Sequence, residues 1–484
     1  MSTTLAHPEP GLAPEPTPQR DPRPTPAAPT PETTRPNTRA AIIIVAHFIV
    51  DVFSFVGIAL LPLLAVTLAI RPEQKALLLA LGSVCSGIIQ PITAWASDKL
   101  DTRALGTLGF IIAVLCIGNL GAATNFTQLA VLYSLGAMGV GAFHPPAAAT
   151  VGQLGAKRRS LFIAVFFLAG MIGGIAGNIL TPRFVDFMTP TIDGAPDPVS
   201  GMLALRWFIP LGLIGALVLA LTIHKVGHRN ANAKDTHITW NPQERRARWR
   251  AVWTLYIANV LRFSVNMALI YLFTEWASTF VLARDNATTM TESLGIEAAR
   301  INGNLQASMQ LGMGSGGILL GILLAPRLEK AAFVTLPLLG ALMIALIPAV
   351  GRTAPDIAPY VVMLASVVSG LGFGAVIPVS ISLAQRLLPH RTSLASGLML
   401  GGAWMLAFVG PIIAELVQNG IADKPTQPNF LAKLVSAFPL GLDDKLTQGM
   451  GLDAAFLLTA IALACAGLFS LLLPQKLIVQ SAHD

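Results

Sequence analysis

Apolar residues along this chain fall in long blocks, without strict alternation and without a narrow three-four stripe. From Ala40 to about residue 473 the blocks recur, separated by short segments rich in Pro, Gly and charge. An α-helix rises 1.5 Å per residue, so about 20 apolar residues cross a hydrocarbon core roughly 30 Å thick. The pattern predicts spans at 40–69, 76–96, 104–124, 128–150, 160–181 and 205–223, then 251–282, 301–325, 331–350, 357–385, 393–418 and 453–473. Gly and Pro inside these blocks do not disqualify them, because neighbouring helices can satisfy the freed backbone groups. The expected fold class is an all-α membrane protein, with twelve transmembrane helices in two pseudo-symmetric six-helix halves.

The polar segments set the domain organisation. Residues 1–39 hold eleven prolines and few large apolar side chains, which predicts a disordered, Pro-rich tail. The tail lacks the basic and then apolar regions of a signal peptide, so the first span is expected to remain uncleaved. The bundles are then 40–223 and 251–475, joined by a central loop 224–250 and followed by a short tail 476–484. With the N-terminus inside, cytoplasmic segments hold about 21 Lys and Arg against about 10 outside. The largest cluster, Glu244–Arg250, reads ERRARWR. Both termini are expected to be cytoplasmic, in a cell inner (plasma) membrane.

Composition changes the picture by exclusion. Of 484 residues 54% are hydrophobic and 12% charged, half the roughly 25% charged fraction of soluble proteins, and the mean hydropathy is +0.66. A soluble enzyme or nucleic-acid binder is excluded as the main body. The net charge of +7 follows from basic cytoplasmic loops and needs no nucleic-acid partner. Cys85, Cys116 and Cys465 lie in apolar blocks, with neither disulfide nor metal spacing.

The two halves read as a repeat. Gly139-Val140-Gly141-Ala142-Phe143-His144-Pro145 aligns with Gly372-Phe373-Gly374-Ala375-Val376-Ile377-Pro378 at a shift of 233 residues. The same shift places Arg158-Arg159-Ser160 over Arg391-Thr392-Ser393 and Gly177 over Gly410. Parallel six-span halves around a midplane site are a transporter plan.

On these residues the chain resembles the major facilitator superfamily over about residues 40–475. Its loop between spans two and three, Ala94-Trp95-Ala96-Ser97-Asp98-Lys99-Leu100-Asp101-Thr102-Arg103, matches that family's G-x-x-x-D-R/K-x-G-R/K-R/K motif at Asp98, Lys99 and Arg103. Ala94 and Asp101 replace its two glycines. A nearer resemblance is to the fosmidomycin resistance branch. It rests on His47-x-x-x-Asp51 with Leu61-Pro62-Leu63-Leu64, on Gln90-Pro91 ahead of Ser97-Asp98-Lys99, and on Gly141-Ala142-Phe143-His144-Pro145. The resemblance implies an inner-membrane efflux carrier driven by protons.

Ionisable residues inside spans are expensive, about 2.5–3.5 kcal/mol on insertion scales, and are functional by default. His47 and Asp51 are four apart and share one helical face near mid-bilayer, which places a proton-accepting pair there. The alternative is a plain hydrogen bond from Asp51 to a neighbouring helix. Arg262, equally deep in span seven, is expected to face Asp51 across the cavity and to bind carboxylate or phosphonate, or else to form a static bridge between the halves. His144 precedes Pro145 and Pro146, where it either titrates along the entry path or caps carbonyls at a kink. Two histidines with no clear third ligand imply no metal.

Gln306 and Gln310 share a face of span eight with cargo-binding potential, although amides in spans more often bond between helices. Asp98, Lys99 and Arg103 are expected at an inner gate, or as ordinary topology-setting charge. Glu275 and Glu415 are expected at an outer gate or surface. Gly170, Gly173, Gly174 and Gly177 permit close helix approach; within the resembled superfamily such a span five is associated with antiport, and tight packing explains it equally.

The expectation is a monomeric secondary transporter in the lipid bilayer that moves a small organic drug or metabolite, anions included, against protons. It needs no cofactor and no nucleic acid. Proton-coupled uptake, and a non-transporting sensor or assembly partner on the same fold, remain as alternatives.

Overall fold

The computed structural model describes residues 36–97, 102–155, 158–222, 240–350, 355–420 and 448–482. Helices follow the apolar blocks: α1 (Pro36–Ala59), α2 (Leu61–Thr67), α3 (Pro72–Ser97), α4 (Thr102–Gly118), α5 (Phe126–Leu154), α6 (Arg159–Met188), α7 (Pro198–Leu203) and α8 (Phe208–Thr222). The second half comprises α9 (Pro242–Arg284), α10 (Glu292–Leu323), α11 (Glu329–Val350), α12 (Ala358–Gly374), α13 (Ile377–Leu387), α14 (Thr392–Gly397), α15 (Ala403–Leu406), α16 (Val409–Asn419), α17 (Leu452–Phe469) and α18 (Gln475–Gln480). A two-residue hairpin pairs Thr191–Ile192 with Ala195–Pro196 between α6 and α7.

Ten described helical segments are long and apolar enough to span a membrane. The other two expected spans each miss one condition. The third, Ala104–Gly118, is apolar but short. The eighth, α10, has 32 residues, but Glu292, Glu297 and Arg300 open it and amides stud its middle. Burial is inverted relative to a soluble protein: Leu211 and Ile322 are exposed, whereas His47, Asn259, Arg262, Asn302 and Gln306 are buried. Polar groups in lipid must find partners inside the bundle, and apolar ones need not.

Helix starts follow local chemistry. Asn125 Oδ1 accepts from the Gln128 amide at 3.0 Å, and Asn241 Oδ1 accepts from the Glu244 amide at 2.8 Å with Pro242 in the first turn. The second cap corrects the expected loop 224–250, because ERRARWR lies inside α9. Residues 223–239 are outside the described set, as are residues 1–35 of the expected disordered tail; its last residues already belong to α1.

The glycines of the sequence repeat occupy equivalent places. A side-chain carbon on Gly139 would come 2.6 Å from the Gly109 oxygen of α4, and one on Gly372 would come 2.8 Å from the Gly340 nitrogen of α11. Each half therefore packs its fourth span on its third backbone to backbone. Likewise Gly177 rests on Val52 of α1 and Gly410 on Ser264 of α9.

Among the described residues, several hydrogen bonds and ion pairs join the halves toward the face opposite the start of α1, here the distal face. Lys75 at the start of α3 pairs with Glu275 near the end of α9. Arg300 reaches Asp186 at 3.2 Å, Arg183 donates to Asn304 at 3.1 Å, and Asn302 donates to the Ile58 oxygen at 2.8 Å. The contact Ser83 Oγ to Trp404 oxygen, at 2.7 Å, lies at mid-depth.

Candidate functional site

Midway along α1, the helix turn brings His47 and Asp51 onto one face, with His47 Nε2 3.5 Å from Asp51 Oδ2. His144 of α5 completes the cluster, its Nε2 lying 3.0 Å from His47 Nε2 and 3.4 Å from Asp51 Oδ1. The remaining ring nitrogens are committed to the backbone. His47 Nδ1 lies 2.7 Å from the Phe166 oxygen, and His144 Nδ1 lies 2.7 Å from the Val140 oxygen.

A carbonyl only accepts, so each Nδ1 carries the hydrogen and each Nε2 of a neutral ring presents a lone pair. Two neutral rings would then oppose lone pairs across 3.0 Å. One proton shared between the Nε2 atoms turns that repulsion into a charge-assisted hydrogen bond, with Asp51 as counter-charge. The two histidines were expected to have no clear third metal ligand; Asp51 supplies one, the three ligand-type atoms lying within 4.8 Å of one another. Two imidazoles on one tetrahedral zinc would sit about 3.3 Å apart from bonds of about 2.05 Å. The 3.0 Å between the two Nε2 atoms is a hydrogen-bond distance that a shared proton satisfies, and the Asp51 spacings of 3.4 and 3.5 Å are compatible with either occupant.

The surroundings are built for this geometry. The Phe166 ring stacks on His47 at 3.8 Å and 13°, and His144 meets His47 edge-on at 4.8 Å. Gly170, one turn along α6, leaves the space that the cluster occupies: a side-chain carbon there would lie 2.6 Å from both Asp51 Oδ2 and His47 Nε2. His47 is closed off, with 2% of its side chain exposed, whereas Asp51 retains 15% and His144 27%. The latter two are the members through which a proton can enter or leave. One further turn along α6, Gly174 faces Gln310 Oε1 from α10. That oxygen is buried without a hydrogen-bond partner, so Gln310 brings a free acceptor from the second half beside the cluster.

Other expected site residues lie elsewhere. Arg262 does not meet Asp51. It is fully buried within the second half, where it donates to Asn259 Oδ1 at 3.0 Å, Ser470 Oγ at 3.0 Å and the Phe333 oxygen at 3.3 Å, with its guanidinium 5.5 Å from the Phe333 ring centre. Equal depth along the chain did not fix azimuth, and the Arg262 face of α9 points into its own bundle. Gln306 also serves packing, donating to the Ile270 oxygen and Asn302 Oδ1 at 3.1 Å each. Asp98 and Lys99 lie outside the described residues, and Arg103 falls in the first turn of α4.

Glu275 and Glu415, expected at an outer gate or surface, are both buried, and Glu275 bridges the halves through Lys75. Lys75 itself was missed. The only signal for it was a lysine closely following Pro72-Glu73 at a span start, which reads as an ordinary interfacial charge.

Comparisons with known proteins agree with this architecture. The sequence profile of the Major Facilitator Superfamily matches residues 43–414. The fosmidomycin resistance protein of Escherichia coli (strain K12) is 20% identical over 379 residues, covering 78% of this chain and 85% of that protein. Among solved structures, a bacterial homologue of the human lysosomal transporter Spinster, inward-facing and unoccupied, superposes with a TM-score of 0.61 at 18% identity, over 93% of this chain and 98% of that one. A structure described for substrate recognition in proton dependent oligopeptide transporters gives 0.65 at 14% identity, over 92% and 99%. The likeness to these structures shows the shared fold. The sequence match, spanning most of the chain, shows more: this multi-pass membrane protein is a transporter, not an enzyme, and belongs to the major facilitator superfamily.

Proposed function

We propose that the protein exports a small organic compound in exchange for protons, by alternating access between its two six-helix halves. The observation that carries this is the His47–His144–Asp51 cluster, whose paired Nε2 atoms at 3.0 Å require a shared proton to be favourable. Gln310, contributed by the opposite half, is the cargo-side group beside it. Binding cargo against Gln310 and holding the proton on the cluster would exclude one another if both need the same narrow space around Gly170 and Gly174, which is the logic of antiport. The direction of export is supported by the similarity to a fosmidomycin resistance protein. The face with the basic loops is read as cytoplasmic, and the contacts that join the halves at the distal face fit a carrier closed to the outside. An anionic cargo has lost its proposed partner, because Arg262 is engaged by Asn259, Ser470 and Phe333.

Everted membrane vesicles with an imposed pH gradient test the reading, with fosmidomycin and a panel of other toxic compounds as probes. Wild-type protein should collapse part of the gradient when a transported compound is added. Asp51→Asn and His144→Asn should reduce that proton flux at least tenfold, in keeping with the factors of about 10²–10⁴ carried by positioned proton-transfer groups. Arg262→Gln should yield less folded protein, while each folded molecule keeps its proton-to-cargo ratio. Wild-type coupling in Asp51→Asn would overturn the proposal.

A further inference from the structure

The start of α9 carries a basic surface that proton-coupled transport does not use. Of its arginines, Arg248 is buried and neutralised, 3.0 Å from Glu244, with its guanidinium 4.6 Å from the Trp240 ring centre. Nearby Arg386 is likewise taken by Glu329 at 2.6 Å. Among the described residues, Glu244 and Glu329 are therefore spent on these two cations. Arg245 and Arg246, together with Arg391 from the corner between α13 and α14, line an open cleft of about 530 Å³ along with Trp240, Trp249 and Leu388. No ion pair among the described residues engages any of these three arginines.

We propose that this cleft binds the phosphodiester headgroup of an anionic phospholipid. Three arginines lining one cleft suit a phosphate, whose oxygens guanidinium groups can grip in pairs. The amino end of α9 adds positive backbone potential. The lipid, rather than a soluble phosphate, is indicated by what adjoins the cleft. Trp249 and Trp253 lie one turn apart on α9, and tryptophan prefers the boundary between water and hydrocarbon. Past them the surface turns apolar and outward-facing, with Trp253 48% and Ile257 44% exposed. A headgroup in the cleft would send its acyl chains down this surface. Basic pockets of this kind at the cytoplasmic side of spans are suited to acidic lipids. Because α9 continues to Glu275 at the distal face, an occupied cleft would anchor the helix that carries half of the Lys75–Glu275 bridge.

The test uses delipidated full-length protein in neutral detergent, titrated with phosphatidylglycerol, phosphatidylcholine or inorganic phosphate. Binding is read by native mass spectrometry and by thermal unfolding. Phosphatidylglycerol should remain bound and raise the unfolding midpoint by several degrees, and the other two should do neither. Arg245→Gln with Arg391→Gln should weaken phosphatidylglycerol binding about tenfold. Arg158→Gln with Arg327→Gln, which removes the same charge away from the cleft, should leave it unchanged. If the cleft variant is poorly folded, Arg245→Lys with Arg391→Lys keeps the charge and removes the planar forks, and a several-fold loss is expected. Equal losses in the cleft and control variants would mean diffuse attraction and overturn the site. Equal binding of inorganic phosphate, or of phosphatidylcholine, would overturn the lipid assignment.

Discussion

At Gly170 a single missing methyl group leaves room for the His47–Asp51–His144 cluster. Glycine inside a helix is unfavourable by about 0.8–1.0 kcal/mol relative to alanine, so Gly170→Ala ought to help α6 if only the helix mattered. Its added carbon would instead lie 2.6 Å from Asp51 Oδ2, and either Asp51 or His47 would have to leave the cluster. Gly170→Ala is expected to reduce transport at least tenfold with normal expression, whereas Gly321→Ala, with open space around it, should transport as wild type. Measured flux per folded molecule in the two variants checks this, and equal rates would show that the cluster tolerates displacement. Much of this site was legible beforehand. The four-residue spacing put His47 and Asp51 on one face, and the Phe-His-Pro triplet marked His144. What no spacing reveals is that Asp51 lies 3.4 Å from His144, because that distance joins two helices far apart in the chain.

Among the elements, charged helix starts were the less readable boundary: the expected starts at 251 and 301 fall nine residues inside α9 (Pro242–Arg284) and α10 (Glu292–Leu323). Asn241-Pro242 followed by Glu244 is a helix-start signature, yet a hydropathy window passes over it because the turns it opens are charged. In α10 amides lower the hydropathy, but Asn302 and Gln306 are buried and bonded to neighbours, as Gln306 is to the Ile270 oxygen at 3.1 Å. The capping group of α7 offers a test by pH. Asp197 accepts from the Ser200 hydroxyl at 2.6 Å and the Ser200 amide at 3.3 Å, and these bonds hold its carboxyl below the usual carboxylate pKa. A carboxyl with a depressed folded pKa contributes its full stabilisation above the unfolded value, about 3.9, and loses it as pH falls through the folded value. Amide exchange at Ser200–Met202, normalised for intrinsic rate, should therefore rise on acidification below about pH 4. In Asp197→Asn, which caps without titrating, that protection should not depend on pH.

For the whole molecule the decisive contacts are those that join the halves. Lys75 and Glu275 form an ion pair buried on both sides, and breaking such a pair typically costs about 3–5 kcal/mol by leaving one charge unmatched. Reversing one partner, Lys75→Glu, would set Glu275 against a new carboxylate and push the distal ends of α3 and α9 apart. Spin labels at Asp193 and Asn286, one from each half, should report longer distances in Lys75→Glu. The double reversal, Lys75→Glu with Glu275→Lys, should restore the wild-type distribution. An unchanged distribution in the single variant would show that Arg300–Asp186 and Asn302–Ile58 keep this face closed unaided.

The sequence alone determined that this is a helical membrane protein, where most of its spans run, and that two similar halves repeat. Those properties depend on local hydropathy and on short-range spacing, which a linear reading contains in full. It also singled out the intramembrane polar residues, because their cost in lipid makes them conspicuous wherever they occur. Tertiary structure decided which of them meet. Arg262 and Asp51 share a depth in the bilayer, but depth is set by position along a helix and partnership by the rotation of one helix against another. That rotation is fixed by close contacts such as Gly177 on Val52 and Gly410 on Ser264. It turned Asp51 toward His144 and Gln310 toward the site, and it turned Arg262 into its own half.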